Sequence, residues 1–70
     1  MTVEMVKAAR ELLRWRQEEL ASRAGIAIST LRRLEGMSGP LQGAEETKIR
    51  IVSALQGAGI EFSEGGVRIK

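Results

Sequence analysis

With 70 residues, 43% of them hydrophobic, and a formal charge of +2, the chain has room for one domain and one modest core, near the size at which a core supplies only roughly 3–5 kcal/mol. It contains no Cys and no His, which removes disulfides, the usual zinc ligand sets and the Cys–His and Ser–His catalytic arrangements. No apolar run approaches the roughly 20 residues of a bilayer span, and the N-terminus lacks the charged-then-apolar order of a secretory signal, so a cytoplasmic protein with no membrane contact is expected.

Thr2 can cap a first helix over about Val3 to Arg14, in which Met5, Val6, Ala9, Leu12 and Leu13 recur at the spacing of one helical face. A second helix runs from Gln17, which can cap it, to Ala24, with Glu18 and Glu19 in its first turn and Gly25 just beyond its end. After a tight turn at Gly25, with Ile26 suited to burial, Ile28 to Glu35 forms a third helix carrying Leu31 and Leu34 three residues apart. Met37 to Ala44, with Ser38, Gly39, Pro40 and Gly43, reads as a loop. A fourth helix covers Glu45 to Gln56, with Ile51, Val52 and Leu55 inward and Gly57 and Gly59 closing it.

In the tail the period changes to two. Ile60, Phe62, Val67 and Ile69 alternate with Glu61, Ser63, Arg68 and Lys70 around Gly65-Gly66, the pattern of a β-hairpin. A loop of even length puts all four apolar residues on one face, whereas a three-residue loop sets Arg68 opposite Phe62. The expected fold is therefore mainly α, four helices followed by a C-terminal hairpin.

The third helix carries the chemistry. With Leu31 and Leu34 turned to the core, Ile28, Ser29, Arg32 and Arg33 fall on its other side. Such a face suits the major groove of DNA, where Arg binds guanine O6 and N7, Ser donates or accepts, and an apolar side chain meets a thymine methyl. At the start of the second helix, free N–H groups and the positive end of the dipole suit a phosphate oxygen. Gln17 can add a donor there, and Arg14 and Arg16 can extend that surface. Arg14, Arg16 and Arg23 can instead pair with Glu11, Glu18 or Glu19 on the surface. Trp15 is placed between the first two helices as core packing.

The run Arg16-Gln17-Glu18-Glu19-Leu20-Ala21-Ser22-Arg23-Ala24-Gly25-Ile26, followed by Ser29-Thr30-Leu31-Arg32-Arg33-Leu34-Glu35, resembles the Cro/CI-type helix-turn-helix repressor family, over about Ala8 to Leu55. The resemblance implies a lambda-repressor-like domain at 1–58, with the helix Ile28–Glu35 in the major groove and Gln17 on a backbone phosphate. It also implies a partly buried ion pair between Arg10 and Glu35. Two positions depart from it. Ala27 stands where the family commonly has a Ser or Thr that caps the recognition helix and touches phosphate, and the loop Met37 to Gly43 lacks the basic residues often found near the minor groove. The ending Gly57 to Phe62 with Gly65 to Arg68 looks like a small bacterial subgroup whose last helix is replaced by a hairpin.

There is no acid–base pair, no nucleophile with a base and no glycine-rich phosphate loop, so a non-enzymatic protein with no cofactor, metal or small-molecule ligand is expected. The partner implied is double-stranded DNA, bound by a repressor that acts by steric occlusion. The competing reading is a protein-interaction module, an antitoxin or adaptor on the same fold. A homodimer through residues 60–70 is expected because an isolated two-stranded hairpin is marginal in water and its outer edge carries no proline. One recognition helix also reads only a few base pairs, whereas two held roughly 34 Å apart read successive turns of a palindrome.

Overall fold

The structure is a computed structural model that describes residues 1–70. Its elements in chain order are α1 (Val3–Leu12), α2 (Gln17–Ala24), α3 (Ile28–Glu35), α4 (Glu45–Gly57), β1 (Ile60–Ser63) and β2 (Gly66–Ile69). Four helices followed by an antiparallel hairpin is the architecture the sequence predicts.

Thr2 caps α1 by accepting the Met5 N–H at 3.1 Å. The helix stops at Leu12, two residues before the expected end. Arg14 takes the left-handed conformation, φ +58°, the only non-glycine residue with positive φ. Its N–H donates to the Glu11 carbonyl and the Trp15 N–H to the Arg10 carbonyl, each at 3.0 Å. This paired closure is the Schellman arrangement, usually built on glycine at the position Arg14 fills. The inward stripe of α1 is also narrower than expected. Val3, Val6 and Ala9 are buried, and Leu12, expected in the core, is 43% exposed. Met5 and Leu12, seven residues apart, share the flank of the buried stripe rather than its centre.

Helices α2 and α3 have the extents read from the sequence. Gly25 ends α2 in the left-handed region at φ +70°. A Cβ there would meet Arg50 Nη1 at 3.1 Å, so both conformation and space favour glycine. The loop to α4 is strapped to the start of the chain: Val3 N–H donates to Gly39 O at 2.8 Å and Leu41 N–H to Met1 O at 3.0 Å. Leu41 is buried as a result. Helix α4 runs one residue past Gln56; Ile51 and Leu55 are buried and Val52 is half-buried.

In the hairpin Ile60 pairs with Ile69 and Phe62 with Val67. The loop is Glu64–Gly65, of even length but one residue earlier than Gly65-Gly66. Gly66, at φ +132°, opens β2 instead. The strands lie against α1 and α4, and Ile60 is 1% exposed within the same core as the helices. Phe62 and Val67 pack on that core, Ile69 stays 48% exposed, and Glu61 and Arg68 pair side by side on the outer face.

The α1–α2 turn generates a prediction. Arg14→Gly relieves a Cβ at a left-handed position, so the variant should be more stable by roughly 0.5–1 kcal/mol, a rise of a few °C in Tm. Thermal melting followed by Trp15 fluorescence checks it; a lower Tm would mean that the Arg14 side chain contributes more than its backbone costs.

Candidate nucleic-acid interface

Helices α2 and α3 are joined by Gly25, Ile26 and Ala27, and the outward side of α3 carries Ser29, Arg32 and Arg33, all exposed. Ile28, expected beside them in water, is half-buried and packed on the core. The correction has a physical reason: as the first residue of α3, Ile28 follows the turn that brings Ile26 down onto the same core. Only part of its surface is left to meet a ligand.

At the start of α2 the N-cap is Arg16, whose side chain makes no capping bond. Its carbonyl accepts the N–H of Glu19 at 3.0 Å and of Leu20 at 3.2 Å. The N–H groups of Gln17 and Glu18 have no partner within the chain and point out of the helix along its dipole. Gln17 does not cap the helix, as its sequence position allowed. Its Nε2 donates to Glu35 Oε1 at 2.9 Å, leaving the second amide N–H unassigned.

Glu35, the last residue of α3, is the buried polar centre of the domain, its side chain 3% exposed. Arg10 donates to both carboxylate oxygens, Nε to Oε2 at 3.0 Å and Nη2 to Oε1 at 2.9 Å. The remaining Arg10 nitrogen, Nη1, donates to the Trp15 carbonyl at 3.0 Å. The ion pair implied by the family resemblance is thus bidentate, and it also holds the α1–α2 turn and the first residue of α2.

The arginines divide into two groups. Arg10, Arg23, Arg32, Arg50 and Arg68 each have a carboxylate within 4.0 Å. Arg14, Arg16 and Arg33 do not, and all three are exposed. Of the surface pairs read as possible from the sequence, only Arg23 with Glu19 forms, at 2.6 Å. Arg23 also lies over the Trp15 ring, 4.5 Å from its centroid, so that face of the indole is covered.

Two features escaped the sequence reading. Glu18 faces Arg32 across α2 and α3 at 3.7 Å; no spacing within one helix signals this. Arg50 of α4 donates to the Gly25 carbonyl at 3.3 Å and is held by Glu46. The i,i+4 spacing of Glu46 and Arg50 is a signal that could have marked the pair, but nothing local signals its tie to the turn between α2 and α3.

Residues 6–35 match the family model described as Helix-turn-helix. That stretch runs from Val6 in α1 to Glu35 and takes in Arg10, Gln17 and the whole of α2 and α3. No curated protein and no solved structure matches the chain. No helix is long and apolar enough to cross a membrane.

Glu35→Ala strands the Arg10 guanidinium in a largely buried position, and a broken buried pair costs on the order of 3–5 kcal/mol. The variant should be largely unfolded at temperatures where the parent is folded. Equal melting temperatures would show that the pair contributes nothing to stability.

Proposed function

We propose that the chain, whose residues 6–35 match a helix-turn-helix family model, is a DNA-binding repressor of the Cro/CI type that occupies a palindromic operator as a homodimer. The observation that carries the base-reading assignment is the state of α3. Its inward side is fixed by Leu31, Leu34 and the Glu35 pair, while Ser29 and Arg33 stand exposed with no partner in the chain. Arg33 then binds guanine O6 and N7 in bidentate fashion, Ser29 donates or accepts beside it, and the exposed part of Ile28 meets a thymine methyl. Arg32 shares this face but is engaged with Glu18.

Phosphate oxygens are held at the start of α2 by the free backbone N–H groups, by the second amide N–H of Gln17 and by Arg16 and Arg14. These contacts set the height of α3 in the groove without reading sequence. The site has no part for a cofactor, and repression follows from occupying the operator, in a bacterial cytoplasm.

The dimer part rests on the hairpin edge. Lys70 N–H donates to Gly59 O at 2.8 Å, and strict alternation from that pair turns the backbone groups of Val67 and Ile69 outward on β2. The same edge carries the exposed side chain of Ile69. Pairing it with its copy about a two-fold axis satisfies those groups and covers the apolar side chain.

Arg33→Ala should relax base preference at one operator position and cost roughly 1–3 kcal/mol in affinity there. Selection of duplexes from a random pool with parent and variant reads this out; an unchanged motif and affinity would remove Arg33 from the base-reading set. Binding that does not weaken with added salt would count against the DNA reading itself.

For the dimer, truncation at Ala58 is a poor test because it removes Ile60 from the core. Ile69→Pro deletes an outward N–H and leaves the core residues in place. In sedimentation the parent should be a dimer and Ile69→Pro a monomer at matched concentration. A monomeric parent, or a variant that still dimerises, would sink the edge interface.

A further inference from the structure

We infer that Arg32 acts as the counter-ion of Glu18 at the DNA-facing surface, and that the Glu18–Arg32 pair sets the overall affinity for duplex while base reading falls to Arg33 and Ser29. The inference rests on the DNA-binding reading and deepens it. Arg32 and Arg33 are adjacent arginines on the same helix, yet their surroundings differ. Arg32 Nη2 lies 3.7 Å from Glu18 Oε2, and Arg33 has no carboxylate within reach.

The pair is not a stability device. Its separation is longer than a hydrogen bond, and the two side chains are 58% and 66% exposed, where such pairs contribute little. Its setting gives it another consequence. Glu18 is the second residue of α2, in the segment proposed to meet phosphate, and duplex DNA presents one negative charge about every 1.7 Å. A bare carboxylate there repels the ligand. No other cation lies within 4.0 Å of Glu18. If Arg32 swung away to a guanine, Glu18 would be left uncompensated beside the phosphates, so the gain from a new contact would be offset by the repulsion uncovered. Arg33 carries no such penalty, since it leaves no acid behind.

The test is a double-mutant cycle on the full chain with Glu18→Gln, Arg32→Gln and the two combined. Dissociation constants are measured for a selected operator and for a scrambled duplex over a range of KCl concentrations. Arg32→Gln should weaken both duplexes alike, roughly three- to tenfold at low salt, and Glu18→Gln should tighten both by a similar factor. The double variant restores zero charge at the pair and should return to within about twofold of the parent at every salt concentration. The motif selected from a random pool should be the same for all four proteins. Thermal melts by Trp15 fluorescence confirm that the exposed substitutions leave the fold intact. The inference is overturned if Arg32→Gln changes preference at one base position, or if the double variant fails to recover. It is equally overturned if neither single variant changes affinity. A parent that shows no salt-dependent duplex binding overturns the DNA reading as well, and that result is visible before any variant is compared.

Discussion

The domain depends on one buried carboxylate. Glu35 ends α3, where a negative charge is opposed by the helix dipole, and its side chain is almost wholly removed from water. It is tolerable there only because Arg10 binds both oxygens and Gln17 binds one of them again. A buried pair of this kind recovers little more than its desolvation cost, so its value lies in geometry. The carboxylate connects the end of α3 to the last turn of α1 and to the first residue of α2, and the guanidinium passes the connection on to the Trp15 carbonyl. The two helices of the motif are thereby fixed at opposite ends: by Gly25 at the turn between them, and by Glu35 and Gln17 where they diverge.

The same constraint explains the strained turn before α2. For Arg10 Nη1 to reach the Trp15 carbonyl, the chain must fold back directly after Leu13, and the left-handed Arg14 makes that reversal. Trp15 then packs on the core under Arg23. A conformational cost at one exposed residue is thus set against a packed indole, a satisfied guanidinium and an α2 whose first N–H groups are left facing outward. On the other side, Arg50 repeats the device at smaller scale by binding the Gly25 carbonyl from α4.

What was legible in the sequence follows from the range of the forces involved. Helices α2 and α3 were read to the residue because their boundaries are local: acids in the first turn of α2, a glycine after each helix, and Leu31 and Leu34 facing inward. The even length of the hairpin loop was read because period-two alternation excludes odd lengths, whereas its place at Glu64–Gly65 rather than Gly65-Gly66 was not. The end of α1 was misread because the stop is a left-handed arginine rather than a glycine, and nothing in its type announces that conformation. Leu12 was assigned to a core it does not reach because it lies on the flank of the stripe formed by Val3, Val6 and Ala9. Ile28 was set on the exposed side by helical geometry alone, which ignores the core beneath the first turn of α3. Gln17 with Glu35 and Glu18 with Arg32 are contacts between helices, and they became visible only when the packing angle was known. The Arg10–Glu35 pair was reached only through the family resemblance, because 25 residues separate its members.

Size links the fold to the proposed mode of action. The longest dimension of one copy is 28 Å, shorter than the roughly 34 Å between successive major-groove faces on one side of a duplex. In the proposed reading a single copy presents one α3 to one groove, and a palindrome is read by a second copy at a fixed distance. In the proposed dimer the hairpin sets that distance. Its Ile60 is locked into the core that also holds Leu31 and Leu34 of α3, while the outer edge of β2 has no partner in the chain. Packed side chains thus connect α3 to the hairpin. If two such edges pair about a two-fold axis, the separation of the two recognition helices is determined by the core rather than by a flexible linker, and tolerance for altered half-site spacing is correspondingly narrow.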